Sequence, residues 1–502
     1  MWSALAAGLA LSLVIAYWIG TQQVFFLYLA IVVGLSLTLI IGLQRLSWVL
    51  ILLGWSVTGY TAMFSVPLSG RDMSVLVATC SYLVYRVVSG DPMRQRWHAL
   101  DAILAVNMAY LAFTLVLNPV GIRALGAENV GGRPYFTISL ALIGYWVIWR
   151  LPNSIKIVSR IPLFILVGSS FVTLLYLLAY LFPSLPGRVP YLYMALDVSA
   201  VLSAYSMQAT SIVRFGQLGF FGLLLLTTLY AYYPSFTLFH PLHPRFYAFL
   251  LGAICILASG FRGVFGAACF LFGFAVWLRH GFSHFLRILI FGAGLMLFFA
   301  AGQGRLYNLP LSAQRALSFL PGKWEEGVVQ DVQSSTQGRF KWWRAAIEEG
   351  WIKDWWFGDG FGARLEDLTS ARRHGAGQMA QTTGALHSGP LTAIRFVGIV
   401  GLALFYVLSI AAAFYSYRCV KKCSGTLLQP VAIYLAIQLT WFPINYALVF
   451  GSYDVDMPQQ IFLIALLRLV MRMAEEMLAP QSSAARRTSV RTAMVTTSRS
   501  WV

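Results

Sequence analysis

The sequence has few charged residues. Asp, Glu, Lys and Arg make up 11% of its 502 positions, against about 25% in soluble proteins, whereas hydrophobic residues make up 59%. Apolar runs of about 20 residues, each long enough to cross a hydrocarbon layer of about 30 Å, recur along nearly the whole chain. The lack of charge excludes an ordinary soluble protein, and the apolar runs predict an all-α, polytopic helical membrane protein.

Acidic residues are especially scarce, because 18 Asp and Glu stand against 36 Lys and Arg and leave a net charge of +18. The basic residues lie in short loops between the apolar runs and in the C-terminal tail, as the positive-inside rule describes. This distribution favours contact with a membrane surface over contact with nucleic acid. We therefore expect membrane lipids as partners and no nucleic acid.

Cysteine and the common metal and nucleotide motifs are rare or missing. The five Cys are scattered, and Cys419 and Cys423 lie beside two Lys in a loop assigned to the reducing cytoplasm, which indicates neither a disulfide nor a metal site. No Walker A motif, HExxH motif or paired-Cys signature occurs. The sequence therefore predicts an activity without cofactor or metal. Four loop carboxylates are better explained by solvation than by a metal: Asp354, Asp359, Glu366 and Asp367.

Alternation of the apolar runs predicts about fourteen membrane spans, with about twelve as the alternative count. Starting from a cytoplasmic N-terminus, it places the basic loops and both termini in the cytoplasm. The predicted organisation is a transmembrane bundle at 1–302, a large external loop at 303–386, transmembrane helices at 387–473 and a basic cytoplasmic tail at 474–502. The predicted spans are 2–20, 23–42, 46–66, 72–89, 99–118, 135–151, 162–182, 217–236, 245–261, 263–279, 285–302, 387–416, 428–450 and 458–473.

The loop at 303–386 has a soluble composition, since it holds nine of the 18 acidic residues. Its six Trp residues argue against disorder. Apolar residues at helical spacing predict an amphipathic helix over 339–350 that lies on the outer face. Gly358, Gly360 and Gly362 then predict a turn.

Three polar side chains stand at the ends of predicted spans on the outer face. Arg214 opens the eighth span, Arg262 lies in the tight turn between the ninth and tenth, and His387 opens the twelfth. Charged groups at membrane depth are costly and indicate function. Two guanidinium groups suit a phosphate or diphosphate, and a His can accept a proton near neutral pH. The alternatives are Arg side chains that reach lipid headgroups and a helix-start His without a catalytic role.

Arg339, Trp342 and Trp343 open the predicted amphipathic helix. A guanidinium beside aromatic rings can bind an anion or stack against a sugar. Anchoring at the membrane interface explains the same residues equally well. These three residues are therefore secondary candidates for binding a glycan or its acceptor.

Four stretches of the chain together resemble a known family. They are VRFGQLGFF around Arg214, ASGFRGVFGA around Arg262, GRFKWWRAA with WWFGDGFGA in the loop, and LHSGPLTAIRFVGIVGLALF from Leu386 onward. In this order, around one large loop, they resemble the bacterial O-antigen ligase and polysaccharide polymerase superfamily of polytopic membrane glycosyltransferases. The resemblance covers residues 213–404.

The resemblance implies a location in the bacterial inner membrane and a reaction at its periplasmic face. Members take a glycan from undecaprenyl diphosphate and transfer it to an acceptor hydroxyl. Carried onto this chain, Arg214 and Arg262 would hold the diphosphate, His387 would be the general base, and Arg339 with the two Trp residues would help to close the glycan site. The implied partners are the lipid-linked glycan donor, a glycan or lipid A-core acceptor, and chain-length regulator and flippase proteins.

The resemblance leaves the acceptor open. Ligases use the lipid A core, and polymerases of O-antigen or exopolysaccharide use another lipid-linked repeat; the number of spans and the large loop slightly favour a polymerase. A transporter or flippase of lipid-linked oligosaccharide is an alternative, and it would distribute ionisable groups through the depth of the bundle. A non-catalytic polysaccharide assembly subunit is another, and it would leave His387 replaceable.

Overall fold

The structure is a computed structural model that describes residues 34, 46–58, 60–61, 68–89, 97–120, 131–150, 154–188, 214–362 and 386–497. Apart from Gly34, the predicted spans at 2–20 and 23–42 lie outside the described residues. Residues 363–385 of the loop, with Glu366 and Asp367, lie outside them as well.

The described residues are mostly helical and contain almost no strand, as the apolar runs predict. Their one sheet is an antiparallel hairpin of β1 (Tyr60–Thr61) and β2 (Leu68–Ser69). The helices before residue 214 are α1 (Ser47–Gly54), α2 (Gly70–Ser89), α3 (Ala99–Leu117), α4 (Arg133–Arg150), α5 (Ile155–Val158), α6 (Ile161–Leu181) and α7 (Leu185–Arg188). The later helices are α8 (Gly216–Tyr232), α9 (Pro244–Ser259), α10 (Arg262–His280), α11 (Phe282–Gly302), α12 (Leu311–Leu317), α13 (Glu326–Glu348), α14 (Gly389–Lys422), α15 (Gln429–Leu448) and α16 (Tyr453–Thr497).

Several predicted helices have other bounds, among them α14, which ends at Lys422, and α16, which begins at Tyr453. The span predicted at 46–66 is too long, because α1 ends at Gly54 and the backbone N–H of Arg71 then donates to the carbonyl oxygen of Val57 at 2.9 Å. This bond ties the chain after α1 to the start of α2. The amphipathic helix predicted at 339–350 exists, but α13 begins earlier, at Glu326.

Seven described helices are long and apolar enough to cross a membrane, so this is a multi-pass membrane protein. α8 and α9 are apolar but shorter. The total of about fourteen spans remains a prediction, because most of the first 45 residues lie outside the described part. The seven are α3, α6, α10, α11, α14, α15 and the part of α16 at Tyr453–Met477.

Helix α16 forms the centre of the bundle. It packs against α4, α14 and α15, and nearly all of its spanning residues are buried. Helix α11 is peripheral, because it packs mainly on α10 and leaves most of its apolar surface exposed. An apolar helix with this exposure suits contact with lipid chains.

A buried ion pair joins α3 to α16. The carboxylate of Asp101 accepts hydrogen bonds from Nε and Nη2 of Arg468 at 3.0 and 2.9 Å, and the Tyr145 hydroxyl donates to it as well. Asp101 also caps α3, since it accepts from the backbone N–H of His98 at 2.7 Å. One carboxylate thus satisfies a helix start and a guanidinium in the core.

Helix α14 is broken at Gly398, whose φ of 69° is left-handed. The loop supplies the hydrogen bonds that the break removes. The N–H of Ile399 donates to the carbonyl oxygen of Trp355 at 2.8 Å, and the N–H of Asp359 donates to that of Arg395 at 2.7 Å. An interruption inside an apolar helix is tolerated when protein satisfies the exposed backbone groups.

The predicted glycine turn makes this docking possible. Gly358 and Gly360 have φ values of 82° and 69°, which favour glycine. A Cβ at Gly358 would lie 2.5 Å from the backbone nitrogen of Gly398. The two backbones therefore approach more closely than any side chain would allow.

The sequence indicated that Asp359 is a solvated loop residue, and this prediction was wrong. It is buried, and its carboxylate accepts from the backbone N–H groups of Lys353 and Asp354, each at 3.1 Å. It also lies 4.0 Å from the guanidinium of Arg395. A carboxylate that satisfies two N–H groups of a tight turn is retained inside the protein.

Candidate active site

Helix α13 lies across one end of the bundle, which we call the loop end because α8, α10 and α14 begin there. Asp331 of α13 pairs with Arg214, just before α8, and Thr336 accepts from Arg262, the first residue of α10. Further along α13, Trp343 bonds the chain just before α14. Asp331 and Trp343 are about 18 Å apart along the helix axis. One helix therefore connects three separate helix starts.

Asp331 bridges two guanidinium groups. Its Oδ1 lies 2.6 Å from Nη2 of Arg214, and its Oδ2 lies 2.6 Å from Nε of Arg315. Burial alone would raise the pKa of Asp331, but the hydrogen bonds from Arg315 and Arg214 outweigh it and lower the pKa. The carboxylate is therefore ionised at neutral pH.

Arg262 lies among the other cations of the loop end. Its Nη2 donates to Oγ1 of Thr336 at 3.2 Å. The positive charges of Arg315, Arg339 and Arg214 act on its guanidinium. The structure thus brings together the two Arg residues predicted to hold a diphosphate, and it adds two more guanidinium groups beside them.

Arg339 is half-buried and lies between the other three cations and the C-terminal end of α15. Its Nη1 donates to the carbonyl oxygen of Val449 at 3.3 Å. A Cβ at Gly263 would lie 2.4 Å from a side-chain carbon of Val449, so α10 abuts the same residue. Burial and the nearby Arg214 lower the pKa of Arg339, although a guanidinium stays protonated at neutral pH.

The cluster has an excess of positive charge. It contains four guanidinium groups, and Asp331 is the one carboxylate that pairs with any of them within the described residues. Guanidinium groups at a partly buried site bind phosphate oxygens through paired hydrogen bonds. This arrangement can therefore hold a ligand with several negative charges. Its cations are Arg214, Arg262, Arg315 and Arg339.

His387 lies between two aromatic rings just before α14. Its ring centroid is 5.3 Å from that of Trp342 on α13 and 5.4 Å from that of Phe450. Trp343 fixes the preceding residue, since its indole N–H donates to the carbonyl oxygen of Leu386 at 2.8 Å. The predicted roles of the two Trp residues in glycan binding stay predictions, while their contacts show that they position His387.

The conformation and surroundings of His387 suit a proton acceptor. Among the described non-glycine residues it alone has a positive φ, of 51°, and such strained backbone is concentrated at functional sites. Burial, and then the positive charge of Arg339, lower its pKa below the usual value. The imidazole is therefore neutral at neutral pH and can accept a proton.

A continuous set of contacts links His387 to the cations. Arg339 bonds Val449, and the next residue, Phe450, lies against His387. On the other side, Trp342 follows Arg339 by one helical turn and stacks on the same imidazole. The six predicted site residues thus lie along one face of α13 and the helix ends that it contacts.

Arg315 and Asp331 were not among the residues predicted from the sequence. Arg315 lies on α12, a short helix inside the loop, and donates to the carbonyl oxygen of Gly260, two residues before Arg262. Asp331 precedes the helix start that apolar spacing predicted. One signal was available, because Asp331 and Arg339 are eight residues apart and share a face of any helix that continues through both.

The other described histidines near helix ends lie elsewhere. His240 and His243 follow α8 and face each other with centroids 4.9 Å apart, and His280 and His284 flank the turn after α10 at 5.8 Å. These positions are at the opposite end of the bundle from the starts of α8 and α10. No group of three or more His, Cys, Asp or Glu in the described part of the chain could hold a metal ion.

The comparisons with known proteins point to the same region. No curated protein matches the chain. Residues 247–406 match the model of the O-antigen ligase family, a range that contains Arg262, all of α13 and His387 but not Arg214. Over this range, the match confirms that the chain resembles the O-antigen ligase and polymerase superfamily.

Proposed function

We propose that the protein is a glycosyltransferase of surface polysaccharide synthesis, which moves a glycan from undecaprenyl diphosphate to an acceptor hydroxyl. The observation that carries this proposal is the arrangement along α13, which brings several guanidinium groups and one neutral imidazole to the loop end. The family match over residues 247–406 supports the same class of reaction.

Arg214 and Arg262 bind the diphosphate of the donor in this proposal. As the bond between the anomeric carbon and the diphosphate oxygen breaks, its electron pair leaves with the diphosphate, where negative charge grows. Fixed guanidinium groups stabilise that charge, and one such contact contributes about 3 kcal/mol, or about a hundredfold in rate. The reaction is metal-independent in this proposal, because these groups supply the positive charge that a divalent cation supplies elsewhere.

His387 acts as the general base. The acceptor oxygen attacks the anomeric carbon, and its proton passes to the neutral imidazole. Burial and Arg339 keep the pKa of His387 low, so the base form is present at neutral pH. The two rings that enclose the imidazole keep it in one orientation.

The glycan binds beside the base, with Arg339, Trp342 and Trp343 as its contacts. Trp342 stacks on His387 at 5.3 Å, so a sugar ring packed against the same indole lies within reach of the imidazole. Arg339 is half-buried between the cations and His387. It can therefore contact both the sugar and the diphosphate.

The loop end faces the periplasm in this proposal, in the bacterial inner membrane, and both termini are cytoplasmic. Basic residues at the opposite end of the bundle support this orientation. They include Arg279, Arg287, Arg418, Lys421 and Lys422. A flippase that delivers the donor and a chain-length regulator are the proposed protein partners.

Reconstitution tests the proposal and its acceptor together. The full-length protein in proteoliposomes receives an undecaprenyl-diphosphate glycan with either lipid A core or a second lipid-linked repeat, and the products are separated by gel. A ligase extends the lipid A core, and a polymerase extends the repeat.

We expect His387→Ala and Arg262→Ala to stop transfer while membrane insertion is unchanged. His243→Ala, at the opposite end, is the matched control; normal product from the His387 variant would overturn the assignment.

A further inference from the structure

Arg315 lies in the cation cluster without a role in the reaction described so far. It is 4% exposed, its Nε lies 2.6 Å from Oδ2 of Asp331, and a second nitrogen donates to the carbonyl oxygen of Gly260. Gly260 has a φ of 72° and forms the turn that leads into Arg262. The guanidinium of Arg315 is therefore fixed beside the first residue of α10.

The charge of Arg315 reaches the proposed diphosphate site. Its positive charge acts on the guanidinium of Arg262, which follows by two residues the Gly260 carbonyl that Arg315 contacts. Arg315 and Arg214 also share one carboxylate, whose two oxygens each accept from one of them at 2.6 Å. A ligand held by Arg214 and Arg262 therefore lies next to the donors of Arg315.

Asp331 occupies those donors in place of a ligand. A buried guanidinium without a partner is costly, so Arg315 needs an anion whether or not a donor is bound. Asp331 stays ionised at neutral pH because its two Arg partners lower its pKa. Protonation does not release it under these conditions, and only another anion can replace it.

We propose that Arg315 is a further ligand of the donor diphosphate, and that the carboxylate of Asp331 holds Arg315 and Arg214 until the diphosphate displaces it. This inference rests on the proposed function and adds one residue and one exchange step to it. A diphosphate carries more charge than a carboxylate and can contact several guanidinium groups at once. It therefore replaces Asp331, whereas a weakly binding anion does not.

Carboxyl footprinting of the wild-type protein tests the displacement directly. The full-length protein in nanodiscs of uncharged lipid is treated with a diazo reagent, with and without inorganic pyrophosphate, and labelling is read by mass spectrometry. We expect pyrophosphate to increase labelling of Asp331 several-fold. Glu326, which is exposed on the same helix, is the internal control and should not change. Unchanged labelling of Asp331 at saturating pyrophosphate would overturn the displacement.

Pyrophosphate affinity, measured by calorimetry, tests Arg315 as a ligand. Asp331→Asn should bind pyrophosphate at least about tenfold more tightly than wild type, because the internal competitor is gone. The control Glu326→Gln removes the same charge from the same helix and should bind as wild type does. The double variant Asp331→Asn with Arg315→Gln removes both members of the buried Arg315–Asp331 pair and keeps the net charge of wild type. It should bind pyrophosphate about tenfold more weakly than Asp331→Asn.

Each result separates this inference from the function it rests on. If wild-type protein binds no pyrophosphate, the diphosphate site and this inference both fail. If wild type binds pyrophosphate but Asp331→Asn binds it more weakly, Asp331 orients the cations and is not their placeholder. If the double variant binds as tightly as Asp331→Asn, Arg315 is not a ligand. The last two results leave the proposed transfer reaction intact.

Discussion

Two Asp residues at opposite ends of the bundle bind Arg in different ways. Asp101 pairs with one Arg468 through two hydrogen bonds, and the two side chains are 4% and 8% exposed. Asp331 is shared by Arg214 and Arg315, and it and Arg214 are 13% and 30% exposed. In the first pair the two charges cancel, and both side chains are buried. The second lies in a cluster that keeps a positive charge in excess and stays partly open.

The difference distinguishes a structural ion pair from a candidate binding site. A balanced buried pair has no net charge with which to attract a ligand. Removing one partner leaves the other charge buried and unpaired, which destabilises the fold. An unbalanced cluster at a helix boundary attracts anions. We therefore expect the Asp101 pair to affect stability and the Asp331 cluster to affect ligand binding and rate.

The largest expected effect is on stability at the balanced pair. Asp101→Asn removes the charge partner of buried Arg468 and should lower the free energy of unfolding by about 3–5 kcal/mol. Chemical denaturation in detergent measures this change. Lys422→Gln is the control, because its pair with Glu475 is exposed and should contribute less than about 1 kcal/mol. A loss at Asp101 as small as the control would remove the contrast.

The unbalanced cluster should show the opposite behaviour. Arg214→Gln should lower the rate of glycan transfer about a hundredfold, or by about 3 kcal/mol, because a contact to the leaving diphosphate is lost. Unfolding should change little, since Arg214 is 30% exposed. Arg344→Gln, on the exposed face of α13, is the control for transfer. Equal losses of stability in Arg214→Gln and Asp101→Asn would contradict the distinction.

The packing of the loop against the break in α14 can be perturbed without changing any charge. Gly398→Ala places a Cβ about 2.1 Å from the carbonyl oxygen of Trp356 and requires a left-handed φ. We expect a loss of about 1–3 kcal/mol in the free energy of unfolding, measured by denaturation. Gly292→Ala on α11 has no atom within 4 Å of its new Cβ and should cause no loss of stability. A neutral Gly398→Ala would show that the loop does not depend on the break.

The smallest expected effect is a shift in pH dependence. His387 has a lowered pKa, so transfer should fall only when the pH drops below the usual His value of about 6.5. Arg339→Gln removes a charge that lowers this pKa, so the acidic limb should move to higher pH. Transfer rates from pH 5 to 8 measure the limb, with Arg344→Gln as control. An acidic limb at the same pH in Arg339→Gln and wild type would show that Arg339 does not affect the pKa of His387.

The helices, and the common end of the bundle at which Arg214, Arg262 and His387 lie, could be predicted from the sequence. Apolar runs require helices, because backbone groups in lipid must be satisfied within the segment. The same alternation placed Arg214, Arg262 and His387 at one end of their helices, and the structure places them there, joined through α13. Periodicity in the chain was sufficient for this part.

The loop was predicted less well. The segment before Arg339 reads QDVQSSTQG and has almost no apolar spacing, so apolar periodicity did not indicate the start of α13 at Glu326. Its helix is held by the pairing of Asp331 and by the bond that Thr336 accepts. These contacts come from residues more than 70 positions away for Arg214 and Arg262, which spacing along the chain cannot reveal.

The amino-acid sequence by itself determined that this is a helical, multi-pass membrane protein and which ends of its helices carry polar groups, because both follow from local hydropathy and charge. Only the tertiary structure decided that Arg315 and Asp331 join the cations and that Trp342 encloses His387. It also decided that the glycine turn docks at the break of α14. These are contacts between distant segments, and they depend on how the loop folds over the helix ends.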